Sequence, residues 1–228
     1  MSSNVTAPTR PARTVGWVQV TLIVFVAFPV TAGLLRLLEL VGGPQTLPYD
    51  ARMADSPIPV GMHIVGAAGY AVLGALQFSA TLRRRHLQWH RVMGRVTVVL
   101  GLAVALSALW MALFYPRQPG SGELAFVFRV VFYTAMAMCL VLGTTAIRRR
   151  KVADHRAWMI RAYAIALAAA TQMFTLGFAE AVFGASVFAH DVALGSAWVI
   201  NLGIAEWMIR LGGQARARSS RPARSLTL

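Results

Sequence analysis

The chain has 228 residues, of which 57% are hydrophobic and 13% charged, about half the charge of an average soluble domain. Mean hydropathy is +0.59, and the apolar residues fall in long runs, which excludes an ordinary soluble domain and points to a membrane protein. The formal net charge of +14 would suggest nucleic acid in a soluble chain. Here the arginines flank apolar runs and read as topology signals, with no basic face clear of a bilayer to carry nucleic acid.

Residues 1–14 are rich in Ser, Thr, Pro and Arg and predict a short disordered tail. The apolar run at about 17–38 is too long for the core of a signal peptide, and no small-x-small site follows it, so it reads as the first spanning helix. Five further runs reach spanning length, at about 58–81, 94–115, 124–147, 157–184 and 192–211. Residues 212–228 read as a basic tail carrying Arg216, Arg218, Arg221 and Arg224. Cys139 is the one cysteine. It falls inside an apolar run, cannot form an internal disulfide and reads as a small packed residue.

The connections differ sharply in charge. The second holds Arg83, Arg84, Arg85, Arg91 and Arg95, and the fourth holds Arg148, Arg149, Arg150, Lys151, Arg156 and Arg161. The others carry Asp50, Asp55, Glu123 and Asp191, with only Arg52 and Arg117 against them. By the positive-inside rule both arginine loops and both termini lie in the cytoplasm of a bacterial inner membrane. Six spans agree with two inside termini. Trp17, Trp89, Trp158 and Trp207 fall near the same boundary, where indoles concentrate.

The arginine segments 83–91 and 148–156 nearly repeat each other. The expected fold is therefore an all-α bundle of six transmembrane helices, with spans two to five as a four-helix core built from a parallel hairpin repeat. Ala67, Ala71 and Ala75, and Ala162, Ala166 and Ala170, recur at spacing four and allow close helix approach in lipid.

Two groups of residues could carry chemistry. His90 and His155 sit near the starts of spans three and five among arginines. A helix N-terminus with guanidinium groups suits an anion. Arg83, Arg84, Arg91, Arg95, Arg148, Arg149, Arg156 and Arg161 are accordingly the candidates for anionic lipid headgroups. The same histidines could instead be plain helix-start residues, or, as neutral imidazoles, ligands for metal or haem iron. The second group lies in the membrane. His63, Tyr70 and Gln77 share one face of span two at intervals of seven. Arg129 and Glu180 lie at similar depth on other spans. Charges in hydrocarbon seek each other or a wet cavity, so His63, Arg129 and Glu180 are expected as one polar cluster, structural or functional. Gln172 and Asn201 read as interhelical hydrogen bonds, Glu206 as a partner for Arg161, and His190 as a residue of the outer loop beside Asp191.

The run Gly74-Ala75-Leu76-Gln77-Phe78, then Leu82-Arg83 and His90-Arg91-Val92-Met93-Gly94-Arg95, resembles a bacterial family of predicted multi-pass membrane proteins known as a domain of unknown function. So do His63, the run His155-Arg156-Ala157-Trp158-Met159-Ile160-Arg161-Ala162-Tyr163, and Asn201-Leu202 with Glu206-Trp207. The resemblance covers about residues 58–208. It implies the six-helix fold and marks these residues, and it implies no activity. Where the family commonly has an arginine after the Thr171 position, Gln172 stands here.

No P-loop, dinucleotide fingerprint, H-E-x-x-H or G-x-S-x-G motif is present, which argues against a hydrolase or an ATP-driven pump. Three readings remain. The first is redox work with haem or a quinone: His90 with His155 would hold an inner b-type haem, and His63 with His190 an outer one. The second is a proton-coupled transporter using the His63–Arg129–Glu180 cluster. The third is a lipid-binding or structural subunit, alone as a homo-oligomer or within a membrane complex. Of these, redox work leads.

Overall fold

The computed structural model describes residues 16–50, 53 and 56–219. Among the described residues seven helices follow one another: α1 (Trp17–Leu40), α2 (Pro57–Gln77), α3 (Ala80–Arg85), α4 (Leu87–Phe114), α5 (Glu123–Arg148), α6 (Val152–Phe183) and α7 (Val187–Ser219). No strand occurs among the described residues. All but the short α3 are long and apolar enough to cross a membrane, giving six spans. The expected tail at 1–14, and the last residues from 220 onward, lie outside the described residues.

The helix ends have local causes. Ser56 precedes α2 with Pro57 at its first position, where proline's missing N–H is no loss. α2 stops at Gln77, and Ser79 starts α3 by accepting from the Leu82 amide at 3.2 Å. The sequence had carried span two through residue 81. The second arginine segment instead ends α5 in a tight turn, with Arg150 at φ 60°. The two segments are thus alike in residues, but one forms a short helix and the other a turn. Three helices start earlier than their apolar runs. α4 starts at Leu87, α6 at Val152 and α7 at Val187, because a helix that projects past the hydrocarbon needs no apolar residues there. α7 likewise continues to Ser219, through a stretch read as tail.

α2, α4, α5 and α6 form a ring of neighbours. α7 packs on α6 and α5, and α1 lies across α2 and α6. Small residues fill the centre: Ala75, Ala125, Ala162, Ala168 and Ala197 are fully buried. Large apolar side chains such as Phe28, Val99, Phe174 and Phe178 stand on the outside. That is the arrangement for helices solvated by lipid, where close backbone packing replaces the hydrophobic drive. Gly101 shows the closeness: a Cβ there would lie 2.6 Å from the Tyr70 ring.

Candidate functional site

A cavity of about 200 Å³ lies inside the ring beneath α1. His63 and Tyr70 of α2, Tyr133 of α5, Tyr163 and Gln172 of α6 and Trp198 of α7 bring polar side chains to a wall otherwise made of Ala, Val, Ile, Leu, Met and other apolar residues. No Asp, Glu, Lys or Arg lines it. His63 Nδ1 lies 3.2 Å from the Val104 carbonyl and 3.3 Å from Ser107 Oγ. Ser107 spends its own proton on α4 carbonyls, reaching Ala103 O at 2.6 Å. Both neighbours therefore accept, so Nδ1 carries the hydrogen and Nε2 is left as an acceptor. Tyr70 is only 3% exposed, yet its hydroxyl makes no hydrogen bond among the described residues, and neither does that of Tyr133. Tyr163, by contrast, spends its hydroxyl on the Ala71 carbonyl at 2.7 Å and ties α6 to α2.

Of the heptad face on α2, His63 and Tyr70 reach this cavity. Gln77 lies two turns beyond Tyr70, beside Gly94, with its amide nitrogen buried and unpartnered among the described residues. The structure does not draw His63, Arg129 and Glu180 together. Arg129 donates to Gln118 Oε1 at 3.2 Å. Glu180 is exposed, one turn from the end of α6, where a carboxylate can reach water. No Arg129–Glu180 ion pair forms among the described residues.

At the arginine-rich end His155 Nδ1 lies 2.8 Å from the Gly143 carbonyl, tying α6 to α5. His90 is half-buried and within electrostatic reach of Arg83, His155 and Arg91. The two histidines stand on α4 and α6, which sit diagonally in the ring rather than side by side. Arg83, Arg84, Arg91, Arg95, Arg148, Arg149 and Arg156 are exposed there. Arg161 is held elsewhere. Its Nε and Nη2 donate to Glu206 at 2.5 and 3.0 Å, and its guanidinium lies 4.7 Å from the centre of the Trp158 ring. Because both side chains are partly exposed, a double-mutant cycle with Arg161→Ala and Glu206→Ala should give a coupling of only about 1 kcal/mol. A coupling near zero in detergent unfolding would mean that the pair does not hold α6 to α7.

Gln172 and Asn201 join α6 and α7 as their residue types suggest. Gln172 Nε2 reaches Leu194 O at 3.4 Å. Asn201 accepts from Thr171 Oγ1 at 2.9 Å and donates to Ala164 O at 3.2 Å. His190 lies on the first turn of α7, not in a loop, with Nδ1 3.2 Å from Asp191 Oδ1. α7 and α2 are not packed neighbours, so His63 and His190 do not face each other as a ligand pair.

Two features were missed in the sequence. Asp191, 2% exposed, caps α5 from another helix. It accepts from Gly122 N at 3.0 and 3.1 Å and from Ala125 N at 3.0 Å. The signal was the cap position of α5 itself: Gly122 has no side chain to cap with, so an acceptor must come from elsewhere. Glu39 organises the connection after α1, accepting from the Thr46 and Leu47 amides at 2.6 Å each and from Arg36 at 2.7 Å.

Six spanning helices closed around a small uncharged cavity define a multi-pass α-helical membrane protein. The chain belongs to the family described as predicted membrane protein (DUF2306), whose model matches residues 60–209. That match takes in α2 to α7 and leaves α1 outside. Neither the curated proteins nor the solved structures gave a match.

Proposed function

We propose that the protein binds a quinone-class ligand in its central cavity and serves redox-linked work in the bacterial cytoplasmic membrane. In this reading both termini and both arginine segments face the cytoplasm, where the exposed guanidinium groups meet anionic lipid headgroups. The observation that carries the proposal is an uncharged cavity at membrane depth holding unpaired polar atoms. An apolar cavity of roughly 150 Å³ accepts benzene, so about 200 Å³ suits one substituted ring. A porphyrin is too large for it. The unbonded hydroxyls of Tyr70 and Tyr133 could donate to a quinone carbonyl, and His63 Nε2 could accept from a quinol hydroxyl. A charged solute would find no counter-charge there.

The test is a titration of the protein in lipid nanodiscs with a decyl-tailed ubiquinone analogue, read by tryptophan quenching, since Trp198 lines the cavity. Saturable binding is expected, weakened about tenfold in Tyr70→Phe, the loss of one hydrogen bond to a quinone carbonyl of about 1.4 kcal/mol. Wild-type protein that shows no saturable quenching would sink the proposal. A reduced-minus-oxidised visible spectrum adds a separate arm: a Soret band lost in His90→Ala or His155→Ala would replace the quinone with a haem at the arginine-rich end.

A further inference from the structure

The wall between α2 and α6 is the thin one. These helices touch lightly, and α1 lies over their seam. α1 supplies Val26, Pro29 and Val30 to the cavity, yet it stands outside the family match. Pro29 is inside the helix and removes one backbone hydrogen bond from it. α1 is also the least buried span, with 11% of its most apolar stretch buried. On the α6 side one cavity-lining residue, Ala169, is itself exposed. It lies near the middle of the 32-residue α6, so what it meets outside is hydrocarbon, not water. Towards the end of the bundle away from the arginines, Phe25 of α1 stacks on Phe174 of α6 at 6.2 Å and joins the two helices.

We infer that the cavity is loaded sideways from the bilayer, through a window between α1 and α6 at Ala169, by a ligand whose long alkyl or prenyl tail stays in that window. This rests on the quinone reading and narrows its substrate class. The cavity volume holds only the ring, and the window opens towards lipid, so the tail has an apolar route out. A tail-less ring would be held by the polar atoms alone. A tailed one would add the area its first methylenes bury against Val30, Ala169 and the outer face of α6.

The experiment compares a decyl-tailed benzoquinone with the same head group lacking the tail, in nanodiscs, against wild type, Ala169→Trp and Val30→Trp. Each variant fills the window from a different helix, so misfolding of one leaves the other to report. Expected is at least a tenfold loss of affinity for the tailed molecule in both variants, at least about fivefold more than the tail-less one loses. Variants that bind both molecules as wild type does, or that lose both equally, overturn the window while leaving the quinone site standing. Wild type that binds neither molecule overturns the quinone reading and the window together.

Discussion

Replacing Asp191 with alanine is expected to fray the first turn of α5 and to destabilise the protein by about 3 kcal/mol, roughly 10 °C in thermal midpoint. The carboxylate accepts three contacts from the Gly122 and Ala125 amides, and these are among the donors a helix leaves unpaired at its start. Its charge also sits at the positive end of the helix dipole. Gly122 cannot take over, because it has no side chain. It cannot gain one either: a Cβ there would lie 2.7 Å from Asp191 Oδ2. Asp191→Asn keeps one acceptor oxygen and should cost about 1 kcal/mol. The readouts are thermal unfolding in mild detergent and hydrogen exchange at residues 122–126. Equal protection of those amides in wild type and Asp191→Ala would show that water caps the helix as well as the carboxylate does.

This cap also shows where reading the sequence stops. Hydropathy located all six spans, because a membrane helix must bury its own backbone polar groups and needs about 20 apolar residues to do so. It misplaced ends wherever a cap or a projecting turn decides them, as at Ser79, Leu87 and Val187. Depth was legible but rotation was not. Arg129 and Glu180 are ionisable residues within spans, as read, yet Glu180 faces outward and Arg129 turns to Gln118. A spanning helix is apolar on every side, so its sequence carries little signal for which side meets the bundle. The face of α2 that could be read, His63 with Tyr70, was marked by polar residues at a fixed spacing. Tyr133, Gln172 and Trp198 come to the same cavity from three other helices. Only the packing brings those residues together. The Arg161–Glu206 pair was legible for the opposite reason: equal depth and opposite charge left each an obvious partner.

Gly74→Leu is expected to be the most damaging substitution at the α2–α6 seam, costing more than about 3 kcal/mol and abolishing ligand binding. A Cβ on Gly74 would sit 2.4 Å from Tyr163 Cε2 and 2.7 Å from Cδ2. Something must move, and the tyrosine is held on three sides. Its hydroxyl is fixed to Ala71 O at 2.7 Å, and its ring lies 5.1 Å from Phe78 and 5.7 Å from Tyr70. Pushing it aside breaks the bond that ties α6 to α2 and shifts Tyr70, which lines the cavity. Gly203→Leu is the matched control. Nothing lies within 4 Å of a Cβ there, so the change should stay within about 0.5 kcal/mol. Because the clash is with one ring, Gly74→Ala should be partly rescued by Tyr163→Leu, with a coupling above about 1 kcal/mol in a double-mutant cycle. If Gly74→Leu and Gly203→Leu unfold alike, or if the cycle shows no coupling, the seam is not held by this contact.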